Sequence, residues 1–196
     1  MDVLAECSST RAQARERLVQ ELREHALVIG EVTLTSGALA QYYVDAKRAI
    51  LRPPAFAALA SLVASYVAEW EGTAVGGLTI GADPVACAAL AGGAQAKAFL
   101  IRKEAKEHGL QRRIEGPPLT ADDRCVVVED VVTTGGSTLA AIDALHDAGH
   151  TICGVVSVLD RLAGGGAAIE HAAGAPYVAL STIDDIYPER PDRAEA

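Results

Sequence analysis

Leu18, Val19, Leu22 and Ala26 recur at helical spacing and predict a helix over residues 10–25. Two short runs, 32–35 and 42–45, lie on either side of Ser36-Gly37-Ala38 and predict a pair of strands. Pro53-Pro54 opens a second helix that runs to about Trp70, because a first-turn proline gives up no helical hydrogen bond. From there strand and helix alternate. Strands are expected at 75–80, 98–101, 125–129, 152–159 and 177–181. Helices are expected at 84–91, at 137–148 before Gly149, and at 164–173. Runs such as Val126-Val127-Val128 and Val155-Val156-Ser157-Val158 suit strands buried on both faces. The pattern predicts an α/β fold, a doubly wound and mostly parallel sheet flanked by helices. Residues 1–50 fall outside it as a small N-terminal hood. Residues 51–187 form the core, and the polar residues 188–196 a loose tail.

Composition narrows the function. The 196 residues are half apolar and 22% charged, an ordinary globular balance. No apolar run approaches the roughly 18 residues of a membrane span, and the N-terminus lacks a basic, apolar leader. Cys7, Cys87, Cys125 and Cys153 stand far apart, so a reducing, cytoplasmic setting without structural zinc is expected. A net charge of −9 argues against nucleic acid as a partner. Against that charge, five of the 17 basic residues crowd between Arg102 and Arg113.

The chemistry concentrates in Val126-Val127-Val128-Glu129-Asp130-Val131-Val132-Thr133-Thr134-Gly135-Gly136-Ser137-Thr138. A buried strand ends in two acids, and a hydroxyl and glycine loop then opens a helix. Free N–H groups and the dipole at that helix start favour an anion, and glycines let backbone approach it closely. There is no Gly-x-x-x-x-Gly-Lys-Ser/Thr and no Gly-x-Gly-x-x-Gly. Carboxylates beside a phosphate repel it unless something lies between them. A sugar fits, its hydroxyls donating to Glu129 and Asp130, and the run reads as a ribose-5-phosphate site. The plain alternative is a tight turn in which Thr133 or Ser137 merely caps the helix.

This run resembles the signature of the type I phosphoribosyltransferases, which bind 5-phosphoribosyl 1-pyrophosphate (PRPP). Cys125 takes the first hydrophobic slot, followed by Val126, Val127 and Val128. The basic segment Arg102-Lys103-Glu104-Ala105-Lys106-Glu107-His108-Gly109 reads on its own as a solvated helix or as a lid that orders on an anion. Its only apolar side chain is Ala105, and Arg102 and Lys106 repel at i,i+4. With Phe99-Leu100-Ile101 before it, it is similar to the strand and flexible loop of the orotate branch of that family. Val32-Thr33-Leu34-Thr35-Ser36-Gly37 and Tyr42-Tyr43-Val44-Asp45 resemble the N-terminal motif of the same branch. Leu159-Asp160-Arg161 resembles its orotate-holding strand end.

The resemblance implies a Mg²⁺-dependent transfer of ribose 5-phosphate from PRPP to orotate, releasing pyrophosphate and giving orotidine 5′-monophosphate for pyrimidine synthesis. Asp130, Lys106 and His108 would be catalytic. PRPP would be held by Arg102, Lys103, Lys106, His108, Glu129 and Asp130, and by the 131–137 loop of Val131, Val132, Thr133, Thr134, Gly135, Gly136 and Ser137. Arg161 and Thr133 would meet orotate. Mg²⁺ would be carried mainly by PRPP, with Asp83 a further ligand. The family is a homodimer whose loop, here 102–114, covers the neighbouring subunit's site. Two departures stand out: Thr35 and the loop Gly81-Ala82-Asp83-Pro84 occupy places where many members carry a lysine. Lys47 is a lone cation that could neighbour the substrate. Two rivals share the fold. A transferase for another base is disfavoured by Arg161, and a non-catalytic nucleotide sensor by the basic loop.

Overall fold

The computed structural model describes residues 3–33, 39–104 and 113–195. Helix α1 (Val3–His25) leads into an antiparallel pair, β1 (Leu27–Thr33) and β2 (Leu39–Val44). A single turn, α2 (Lys47–Ile50), then meets α3 (Pro53–Glu69). The core follows as β3 (Ala74–Leu78), α4 (Ala82–Ala91), β4 (Lys97–Ile101), β5 (Ile114–Glu115) and β6 (Arg124–Val132). It ends with α5 (Gly136–Asp147), β7 (Thr151–Asp160), α6 (Gly165–Ala173), β8 (Tyr177–Thr182) and α7 (Ile183–Ile186).

The six-stranded sheet has the order β5-β4-β3-β6-β7-β8. Every pairing is parallel except the short edge β5, which runs against β4. The expected doubly wound architecture is present, and the strand period of two explains how it is filled. Val126, Val128, Val156 and Val158 point to the layer of α1, α3 and α4, with Leu22, Leu59 and Val85. Cys125, Val127, Ile152 and Val155 point to the layer of α5 and α6, with Ile142, Leu145 and Ile169. No helix among the described residues is long and apolar enough to cross a membrane.

Boundaries differ at several elements, β1 among them, which runs over Leu27–Thr33 where a strand is expected at 32–35, and three differences bear on the site. First, β6 does not stop at Glu129. Its ladder with β7 continues through Val132 opposite Asp160, so both acids lie inside a hydrogen-bonded strand. Second, the hood shares the main core: Tyr42, Val44, Ala49 and Ile50 pack in the same cluster as α3 and β6. The turn α2 that carries Ala49 and Ile50 is too short for periodicity to reveal. Third, residues 190–193 are tied down where a loose tail is expected. Residues 191–195 form a 3₁₀ turn, and Arg190 is buried in ion pairs with Asp184 and Asp192.

Candidate active site

The chain crosses from β3 through α4 to β4 on one side, while β6, β7 and β8 build outward on the other. The strand order therefore reverses between β3 and β6. In open α/β sheets a crevice forms there, beyond the carboxyl ends of the strands. The loops after β3 and β6 both open at this place.

Strand alternation sends the two acids of β6 to opposite faces. Glu129 faces α5, where Thr138 Oγ1 donates to Oε2 at 3.3 Å. Asp130 faces the hood, where Lys47 Nζ donates to Oδ2 at 2.8 Å. Lys47 also pairs with Asp45 at 3.0 Å. The backbone holds both carboxyls: Asp130 N donates to Glu129 Oε1 at 3.1 Å and Val131 N to Asp130 Oδ1 at 2.9 Å. Both side chains are buried. Burial, reinforced by the neighbouring Asp130, pushes the Glu129 carboxyl up to about 8. Burial works against the charge of Lys47, but its bonds to Asp130 and Asp45 outweigh that and hold its pKa above the usual lysine value. Any Cβ at Gly81 would run into the Asp130 carboxyl, so only glycine lets the β3–α4 loop lie against it. The Thr79–Ile80 peptide in that loop is cis.

Next to these acids is a cavity of about 240 Å³ lined by Glu129, Val131, Thr133, Thr134 and the start of α5, Gly135 to Thr138. Gly135 is the residue before the helix, in the left-handed conformation at φ 84°, and no side chain caps the helix start. Thr133 and Ser137 therefore do not serve as caps. Leu139 N makes the first helical bond, to Gly135 O at 2.8 Å, so the N–H groups before it have no partner within the helix. The geometry is that of an anion cradle. Val132 differs from its neighbours: its side chain is in the core, and only its backbone faces the loops.

The neighbouring strand end carries Arg161. Its N–H donates to Val132 O at 2.8 Å, joining the two loops. Its guanidinium lies 5.1 Å from the Tyr42 ring centroid and donates to Tyr42 Oη at 3.1 Å, while Tyr42 donates in turn to Asp192 at 2.8 Å. Arg161 Nε is buried and lacks a hydrogen-bond partner. Beneath it, Asp160 accepts from Tyr177 Oη at 2.9 Å and from Leu162 N at 2.7 Å, which fixes the strand end.

The basic segment is described only at its ends. Arg102 N donates to Arg113 O at 2.9 Å, and the Arg102 side chain lies 3.9 Å from Glu115. Lys103 is exposed. Lys106 and His108 lie outside the described residues, as does Thr35. Asp83 sits in the first turn of α4 with Oδ1 buried and unpartnered, and burial raises its pKa. Among the described residues no three His, Cys, Asp or Glu side chains cluster to hold a metal.

Sequence reasoning missed Tyr42 as the partner of Arg161 and Asp192 as the partner of Tyr42. It gave Lys47 little weight, yet Lys47 makes the ion pair with Asp130.

The family model described as Phosphoribosyl transferase domain matches residues 50–175. The chain is 48% identical over 180 residues to an orotate phosphoribosyltransferase of Corynebacterium glutamicum, covering 91% of this chain and 97% of that one. A crystal structure of Mycobacterium tuberculosis orotate phosphoribosyltransferase in complex with Fe(III) dicitrate superposes with a TM-score of 0.79. It is 44% identical and covers 89% of this chain and 99% of that one. The same enzyme in complex with PRPP gives 0.75 at 39% identity, covering 88% and 98%.

Proposed function

The chain belongs to the orotate phosphoribosyltransferases, within the phosphoribosyl transferase domain family, and from that premise we propose that it joins N1 of orotate to C1 of the ribose of PRPP and releases pyrophosphate. One observation carries the reading: an uncapped helix start lies directly beyond two buried carboxyls of one strand. The cradle of residues 133–137 takes the 5-phosphate on backbone N–H groups and hydroxyls. Val131 and Val132 contribute backbone. Glu129 and Asp130 accept from ribose hydroxyls. Asp130, paired with Lys47 at 2.8 Å, faces positive charge as it develops on the ribose ring in an oxocarbenium-like transition state. Arg161 offers its unpartnered Nε and a terminal nitrogen to the orotate carboxylate as a two-pronged pair, with Thr133 beside it. Arg102, Lys103, Lys106 and His108 neutralise the leaving pyrophosphate, with Lys106 and His108 acting at the reacting end.

PRPP and Asp83 would hold magnesium, which would supply charge neutralisation at the diphosphate. The hard, unpartnered oxygen of Asp83 fits that ion. We also read the protein as a cytoplasmic homodimer in which the loop 102–114 reaches the neighbouring subunit's site. Light scattering that gives a monomer mass at micromolar concentration would overturn this assembly.

The activity is tested by mixing protein, PRPP, Mg²⁺ and orotate and following the orotate absorbance. Loss of orotate with stoichiometric pyrophosphate is expected. Turnover of adenine or hypoxanthine in its place would overturn the assignment of base.

A further inference from the structure

Lys47 and Asp130 are 83 positions apart, and the hood brings them to 2.8 Å. Asp130 is buried and its other oxygen is taken by Val131 N–H, so its surroundings are set by few groups. Facing it are Lys47 and, through Lys47, Asp45 from the hood; Glu129 is beside it on the strand, and the backbone at Gly81 lies against it from the β3–α4 loop. Glu129 in turn faces Thr138 and the field of Tyr177. Among the described residues Lys47 is the one cation in ion-pair contact with either acid.

We propose that Lys47 is a positioning residue for the transfer, one that acts through Asp130 by assigning the negative charge of the acid pair to that carboxylate. The inference rests on the reading of Glu129 and Asp130 as the ribose-binding acids. Two adjacent buried carboxyls do not both ionise freely, because each charge raises the cost of the other. A cation on one face of the strand breaks the tie. Asp130 then accepts hydroxyls and opposes the developing ribose charge, and Glu129 retains its proton, in keeping with its raised pKa. Without the ammonium the proton distributes over both, and a share of the enzyme carries the wrong charge at the ribose.

The test is the pH dependence of kcat/KM for PRPP, together with PRPP binding by calorimetry at several pH values. In Lys47→Met the acid limb should move up by about one pH unit or more, and kcat should fall about 100-fold. The KM for orotate should stay within about twofold, since Arg161 is untouched. Lys47→Arg should keep the limb in place. Asp45→Asn removes the competing anion and should move the limb the other way, down, which decides the matter even if Lys47→Met fails to fold. A limb unmoved in both folded variants, or in Asp45→Asn alone where Lys47→Met does not fold, would overturn the proposal. If the wild-type protein does not turn over orotate, the reading of the function fails. The pH dependence of PRPP binding would still report on Lys47.

Discussion

Strand β6 has a buried acid at each end, and the two are treated in opposite ways. Asp123, just before the strand, is fully satisfied. It accepts from Lys97 Nζ at 2.7 Å, Thr120 N at 2.6 Å, Thr120 Oγ1 at 3.1 Å and Thr73 Oγ1 at 2.9 Å. Burial alone would raise its pKa, but these donors outweigh burial and hold the carboxyl well below the usual carboxylate range. Glu129, near the far end, has a 3.1 Å bond from Asp130 N and a weak 3.3 Å bond from Thr138, and burial, with a second carboxyl next to it, pushes it up instead. Close by, Arg161 Nε and Asp83 Oδ1 are buried without hydrogen-bond partners. At the amino end Asp123 is met by four donors, while the carboxyl end keeps Arg161 Nε and Asp83 Oδ1 without partners beside its paired acids. Buried groups left unsatisfied cost stability, and they persist where a ligand completes them.

The widest separation between the two ends should appear with Arg161→Ala. Losing a two-pronged, charge-assisted pair costs about 2–5 kcal/mol, roughly 30- to several-thousand-fold in kcat/KM for orotate. Calorimetric affinity for PRPP should barely change, and thermal stability should hold, because Arg161 makes few bonds in the free protein. Were PRPP affinity to fall as far as that for orotate, Arg161 would belong to the other substrate.

Asp123→Ala is the mirror experiment. It strips a satisfied network, leaving the Thr73 and Thr120 groups without their acceptor, and should cost about 2–4 kcal/mol of stability. That corresponds to roughly 5–15 °C in Tm for a chain of this size. Activity per folded molecule, measured well below the new Tm, should match wild type. A kcat loss as large as that of a change at the other end would show that the amino end of the sheet is not merely structural.

What could be read from the chain follows the same division between local and distant. Residues 126–138 were legible because strand, cradle and helix are contiguous, and a buried strand, paired acids and a Gly-Gly before a helix each leave a local trace. The doubly wound order followed from the alternation of buried runs. The partners of those acids left no such trace. Tyr42 meets Asp192 across 150 positions and Arg161 across 119, and no spacing rule links a hood strand to the last turn of the chain. The extent of β6 is not legible locally for a related reason. Whether Glu129 and Asp130 end a strand or lie within it depends on the β7 ladder, which pairs as far as Asp160.

The finest contrast between the two ends is in the sign of their pH dependence. Asp123 has a depressed folded pKa, so its contribution is present above the unfolded value of 3.8 and is lost as pH falls toward the folded one. Glu129 has a raised one. Between its unfolded value of 4.5 and about 8 the native state holds a proton that the unfolded chain has released. Its contribution is complete below 4.5 and declines as pH rises through that window, with a slope of at most about 1.4 kcal/mol per pH unit for one proton. Denaturant unfolding of Glu129→Gln from pH 5 to 8 should therefore give a flatter curve than wild type and leave the limb below pH 4 unchanged. Asp123→Asn should do the reverse, flattening the acid limb alone. If both variants altered the same limb, the two ends of β6 would be one coupled electrostatic unit. The division between a satisfied end and an unsatisfied one would then fail.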